Sequence, residues 1–351
     1  MLTHTRTPRV CALSPCSLAD FFYGGSWDIG TSSLIVMALG KAPSKDTLWT
    51  SDNGDQATTR GGCDKKGCPP DHSSPAAELH TMLALLSTGP VGFSDAPNET
   101  DAALIKRTCD SVGNLLQPSR PITSVDSSLA ADASAAPSGY VLSTHTAVSG
   151  RVWAWFVLAH QLKAPFTARV RDVWPAPPVP LTLGLASDVR ALRACARGSQ
   201  AAACGLSQVA LPAGSTSPAT PLLTLPAVPA GRDVFTPVLA LLAPLCPTSA
   251  GAAAGTSVFG EVEKVAPISV QRFLEMGCGE GGVVSFTISG QPGEAVGVKW
   301  VDWSDAGTGV VGAGTFTFPA GGKGAMQAAC TVAGGSLSCT PSSAGVRVSL
   351  P

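Results

Sequence analysis

The residues of this chain that could do chemistry are few. Asp95 closes a short Gly-rich run, Thr88 to Phe93, and is followed at once by Ala96-Pro97-Asn98. A carboxylate at the C-terminal end of a strand, just before a helix, is where α/β barrels present working groups. The same placement also suits a loop-capping Asp, whose side chain bonds its own backbone. Eleven cysteines are the second reactive set, with close pairs at Cys11/Cys16, Cys63/Cys68, Cys195/Cys204 and Cys330/Cys339. An odd count leaves at least one thiol outside an intrachain pair. Zinc is the competing reading, but no C-x-x-C knuckle occurs and His72 alone lies near Cys63/Cys68. We therefore expect no metal, and no organic cofactor motif is present. His145 and His160 fall in strand-like segments and read as structural.

The elements that must position these groups fall into zones. Residues 1–130 read as α/β. "SSLIVMALG" is a helix or buried strand closed by Gly40 and Pro43. "SPAAELHTMLALLSTG" is a helix with Ser74 as cap, Glu78 in its first turns and an apolar face of Leu79, Met82, Leu83 and Leu86. Thr88 to Phe93 reads as a buried strand, Asp95 to Asn98 as a turn, and Asp101 to Arg107 as a helix with Ala102, Leu104 and Ile105 on one side. Residues 131–172 open a β domain, where "GYVLSTHTAVSGRVWAWFVLAHQL" mixes β-branched and aromatic residues at strand spacing. Residues 173–256 are biased to Pro, Ala, Ser and Leu and read as loops or linker between short strands. In 257–351 the alternating runs "VVSFTISG", "EAVGVKWVD", "GTFTFPA" and "GVRVSLP" suit an antiparallel β-sandwich.

Bulk properties narrow the function. The 351 residues carry 13% charged side chains and a net charge of -1, so no basic face for nucleic acid is implied. No apolar run reaches membrane-spanning length, since "VFTPVLALLAPLC" is short and broken by prolines. The first 22 residues lack the apolar core of a signal peptide. Paired cysteines and the Asn98-Glu99-Thr100 sequon lean toward an oxidising, secretory compartment.

The stretch "GPVGFSDAPNETDAALIKRTCDSVGNLLQPSRPITSVD" resembles the end of the catalytic barrel in glycoside hydrolase family 36, in the group of raffinose synthases, seed-imbibition proteins and alkaline α-galactosidases. That group has a Gly-rich strand, Ser-Asp-x-Pro-Gly, a Leu-Leu-Lys-Lys helix, then Asp-Gly-x-Leu-Leu and an x-Arg-Pro-Thr segment. The matching residues here are Gly89 to Pro97, Leu104 to Arg107, Asn114 to Leu116 and Ser119 to Thr123. "ELHTMLALLSTG" is similar to the group's penultimate helix, and the likeness covers roughly residues 17–126.

The resemblance implies an incomplete TIM-type barrel followed by the sandwich, and retaining chemistry on α-galactosides with two carboxylates about 5–5.5 Å apart. It puts Asp20, in "CSLADFF", on the acid/base position, with Cys16 where the family has Arg and Ala19 where the plant-type pair has its first Asp. A rival string, "LWTSDN", is similar to the one around the acid/base of bacterial and fungal members and would make Asp52 the acid. Trp27 and Trp49 become candidate sugar platforms, and Asp95 a candidate hydroxyl acceptor. The nucleophilic Asp of the family sits earlier in the barrel. Only nineteen residues precede Asp20 here, whereas an eight-stranded barrel needs about 200–250. The expectation is a chain truncated at its front, with the nucleophile not present. The alternative is a non-catalytic carbohydrate-binding or interaction protein left over from the barrel family.

Overall fold

The computed structural model describes residues 29–43, 50, 76–93, 95, 97–98, 100–128, 139–160, 162–173, 189–194, 206–207, 221–227, 237–249, 252, 254–304, 309–321 and 324–341. Among them, strands dominate and every strand pair is antiparallel. Neither a parallel pair nor a barrel is present among the described residues. The α/β section expected over residues 1–130 is represented by helices α1 (Ile29–Ala38), α2 (Ala76–Leu86) and α3 (Ala102–Lys106) and by the two-residue strand β1 (Thr123–Ser124). Helix α1 settles "SSLIVMALG" as helix, and a buried strand is excluded: Leu34 is 45% exposed and Ile35 59%. The expected cap Ser74 and the run "GVRVSLP" lie outside the described residues. No described helix is long and apolar enough to cross a membrane.

The centre of the molecule is a six-stranded sheet. Its strands are β1, β2 (Tyr140–Val148), β3 (Arg151–His160), β5 (Val189–Ala194), β6 (Leu206–Ser207) and β8 (Val238–Pro244), in the order β1-β2-β3-β8-β5-β6. Strand β4 (Phe166–Arg169), helix α4 (Val170–Val173) and strand β7 (Pro221–Leu225) lie beside it, with β4 paired to β7. Strand β3 is covered on both faces. Phe156 and Leu158 join one apolar cluster, while Trp155, Val157 and Ala159 join the other. Being two-sided, it reads as a continuous apolar run rather than an alternating one. Trp153 and Ala154 nevertheless share a face. The register slips there, with Thr146 opposite Ala154 and Ala147 opposite Val152, so Trp153 is the extra residue of a β-bulge. Ser149-Gly150 joins β2 to β3 with both φ positive, the two-residue turn that matches strand twist.

Two four-stranded sheets complete the β region. One runs β14 (Gly309–Thr317), β13 (Ala295–Trp303), β10 (Gly255–Gly260), β9 (Cys246–Pro247). The other runs β11 (Phe273–Cys278), β12 (Val284–Gly290), β15 (Met326–Ala333), β16 (Ser336–Pro341). Val298 and Trp300 of the first and Phe286, Ile288 and Val332 of the second meet in one core, which continues onto helix α2 and one face of the central sheet. Gly312 is required where it stands, because a Cβ there would lie 2.2 Å from the Trp300 indole.

Among the described residues, two disulfides tie this region. Cys330–Cys339 joins directly opposed residues of β15 and β16, two cysteines that lie close in the sequence. Cys246–Cys278 joins β9 to β11, hence one sheet to the other, across 32 residues. Cys109 is a buried free thiol, and the other close pairs lie outside the described residues. Chain-entropy reasoning gives the longer loop the larger effect. The double Ala variant of Cys246 and Cys278 should lose about 4 kcal/mol and that of Cys330 and Cys339 about 3 kcal/mol, read as midpoint shifts in urea.

Candidate functional site

The site is built from the segment between α2 and β1. Helix α2 buries Leu79, Met82, Leu83 and Leu86, as its apolar spacing requires. Its Glu78 pairs with Arg107 at 2.5 Å, fixing α2 against the end of α3. Between them Thr88 to Phe93 is not the buried strand expected. Thr88 has φ 64 and sits in the turn that ends α2, Gly89 to Gly92 is irregular, and Phe93 is bridge-paired but 39% exposed. The physical reason is local: Gly89 and Gly92 bring no side chains to pack, and Pro90 has no N–H for a ladder. The Gly89 carbonyl instead accepts from Gln117 Nε2 at 2.8 Å.

The expected turn is present, with Asn98 exposed at φ 68. Asp101 caps α3, its Oδ1 accepting from the N–H groups of Ala103 and Leu104. Of α3 only Leu104 is buried; Ala102 is exposed and Ile105 half-buried, so the apolar face is narrower than the spacing suggested.

Asp95 is the one sequence-predicted site residue that the described structure contains. Its two oxygens accept from Thr50, Oδ1 from the backbone N–H and Oδ2 from the hydroxyl, each at 2.7 Å. The Thr50 hydroxyl oxygen in turn accepts from the Asp101 N–H at 2.7 Å. Thr50 is buried, 3% exposed. Two segments far apart in sequence, Thr50 and the 95–101 loop, thus meet at one hydroxyl. Thr50 belongs to the "LWTSDN" string, one residue after Trp49 and two before Asp52. Asp20, Trp27, Trp49 and Asp52 themselves lie outside the described residues.

This arrangement gives Asp95 a holding job. Removing its carboxylate strands a buried backbone N–H, so Asp95→Ala should cost about 1–3 kcal/mol. Asp95→Asn, which keeps an acceptor for that N–H, should cost less; urea denaturation compares the two.

The segment after α3 is docked onto the β region by polar contacts that spacing alone does not announce. Lys264 Nζ donates to the carbonyls of Lys106 and Cys109, both at 2.7 Å, closing the C-terminal end of α3. Ser111 N–H donates to Glu294 Oε1 at 3.1 Å. Glu294 also takes Arg272 Nη2 at 2.6 Å, while Arg272 Nε donates to Glu261 at 2.7 Å. Burial raises the Glu261 carboxyl, with Arg272 pulling against it. Burial pushes Glu294 the same way, but Arg272 and the N–H groups of Gln291 and Ser111 outweigh it and hold that carboxyl low.

The two strand histidines are structural in geometry as well as in pattern. His145 is pushed down to about 4 by burial and by Arg120 nearby. His160 is pushed down to about 3 by burial and stacks on Tyr140 with ring centroids 4.9 Å apart. The described residues hold no group of three or more metal-ligating side chains. No family model and no curated protein matches the chain.

Proposed function

We propose that the chain is the C-terminal part of a retaining α-galactosidase-like glycoside hydrolase or galactosyl transferase. The barrel is completed, and the nucleophile supplied, by residues outside these 351. The observation that carries this reading is the junction at Thr50. Asp95, in the loop that resembles the family's Ser-Asp-x-Pro segment, holds Thr50, a residue of the "LWTSDN" string, by both carboxylate oxygens. Thr50 lies two residues before Asp52 in the sequence, so on this reading Asp52 rather than Asp20 is the acid, and Asp95 holds Thr50 rather than binding sugar. The acid protonates the glycosidic oxygen as the bond to the anomeric carbon breaks, and then takes a proton from water or an acceptor hydroxyl. No metal or organic cofactor is needed for that chemistry.

The second reading keeps the sugar and drops the reaction: a carbohydrate-binding or interaction protein of barrel ancestry. What favours it is that Asp95, the sequence-predicted carboxylate among the described residues, is already committed to Thr50.

One experiment separates the two. The native protein, isolated from its source, is weighed intact and its N-terminus sequenced. A mass well above 35.4 kDa, with added N-terminal sequence carrying a Lys-x-Asp strand, supports the enzyme. Asp52→Asn in that protein should then lower α-galactoside turnover by roughly 10²–10⁴-fold, and Asp20→Asn far less. A mass of 35.4 kDa starting at Met1 removes the enzyme reading and leaves the second.

A further inference from the structure

The outward face of the β11-β12-β15-β16 sheet is hollow. Its register sets out two cross-strand rows. One is Glu275, Thr287, Ala329, Thr340; the other is Gly277, Ser285, Thr331, Ser338. Together with Ser149 at the rim these positions line a depression of about 520 Å³. Its shape follows from residue size. Gly277 on the edge strand β11 and Ala329 on the inner strand β15 place almost no bulk on the face. Glu275, Thr340 and the β2–β3 turn stand around them, and the turn is pinned there by Met276 N–H donating to Ser149 Oγ at 3.3 Å.

The chemistry of the lining is selective. Six hydroxyls, on Ser149, Ser285, Thr287, Thr331, Ser338 and Thr340, surround a single carboxylate, Glu275. Thr287 donates to Glu275 Oε2 at 3.3 Å, orienting that carboxylate across the hollow. Among the described residues no Lys or Arg lines it, which disfavours phosphate and other anions. One carboxylate is too few for a divalent cation that wants six or more oxygens. Met276, Phe286 and Cys330 also line the hollow but are buried in the core, and the outward rows carry no large apolar side chain, which disfavours a protein anchor residue. What remains is a neutral ligand that is itself a dense array of donors and acceptors. Strands about 4.8 Å apart, and alternate residues about 6.7 Å apart along each strand, set a hydroxyl grid on the scale of one pyranose ring.

We infer that this hollow is a binding site for one or two units of a neutral oligosaccharide, separate from the barrel-side chemistry. Hydroxyls on the sheet exchange hydrogen bonds with the sugar, and Glu275 accepts from a pair of its hydroxyl groups. Without an aromatic platform the affinity is weak, with a dissociation constant on the order of a millimolar.

The test uses the 351-residue chain and saturation-transfer NMR with two probes, raffinose, an α-galactoside, and maltotriose, which carries no galactose. Only the choice of raffinose rests on the proposed function. Binding of at least one probe is expected. Thr331→Arg, an exposed substitution that fills the hollow, should weaken it at least about tenfold, and Glu275→Gln about fivefold, with unchanged circular dichroism showing that both fold. Asp95→Ala should leave this binding as it was. Transfer that survives Thr331→Arg, or no transfer to either probe, overturns the site. Transfer lost in Asp95→Ala but kept in Thr331→Arg overturns it too, while leaving the barrel reading standing. Binding of maltotriose with no α-galactoside activity in the native protein supports the site and sinks that reading instead.

Discussion

Replacing Arg272 by leucine should destabilise the protein by about 3–5 kcal/mol at neutral pH. Arg272 is 2% exposed and serves two carboxylates at once, Glu261 through Nε and Glu294 through Nη1 and Nη2. Its Nη1 also donates to the Ser289 carbonyl at 2.5 Å. Leucine would leave two buried carboxylates facing each other with no cation between them. The damage would spread beyond the β region, since Glu294 also holds the Ser111 N–H. Urea unfolding should show a lower midpoint at unchanged slope. The diagnostic is pH. In the variant both carboxyls should take up protons more readily, so its deficit against the parent should shrink as pH falls toward 4. A deficit that stays constant between pH 7 and 4 would mean lost packing rather than stranded charge. Removing all three ionisable groups together, as the triple variant Arg272→Leu, Glu261→Gln and Glu294→Gln, should recover a good part of the loss.

Acid should act on the parent in the opposite sense, through its histidines. His145 and His160 are held down to about 4 and about 3, respectively. Their unfolded value is near 6.5, so between there and their folded values the unfolded chain binds more protons. Stability therefore falls as pH drops through this window. At pH 4 each histidine would remove up to about 3 kcal/mol, together a large part of an ordinary domain's 5–15 kcal/mol. Glu261, raised by burial, works the other way and offsets some of this. The melting temperature should drop steeply from pH 6.5 to 4, and His145→Asn should flatten the slope. A flat profile over that range would show that neither imidazole is shielded as described.

Features set within a few residues were readable from sequence. The helix expected over Asp101 to Arg107, the Pro97-Asn98 turn, the apolar stripe of α2 and the alternation of β12, β13 and β14 each rest on chemistry between neighbours in the chain. Cys330 and Cys339 were visible as close neighbours in sequence, but that they bond follows from the β15–β16 hairpin, which sets them directly opposite each other. Features set by distant partners were not. Nothing near Thr50 says that Asp95 and Asp101 will meet at its hydroxyl. Nothing near Cys246 points to Cys278. Strand β8 was hidden in a Pro/Ala/Leu-rich stretch because it is covered on both faces and shows no alternation, leaving β-propensity alone to speak for it. Thr88 to Phe93 misled in the other direction. It is uncharged and short like a buried strand, but its glycines and proline cannot supply the packing or the donors that a strand needs.

The disulfide between β9 and β11 also sets how far the chain can be drawn out. If the protein were pulled by its ends, the segment from Cys246 to Cys278, a sequence separation of 32, would stay closed in a loop, withholding about 11 nm of extension. Within that loop lie β10 and the Glu261–Arg272 pair. Lys264, which closes the end of α3, also lies in this loop, in a stretch that tension along the backbone cannot unravel until the bond is reduced.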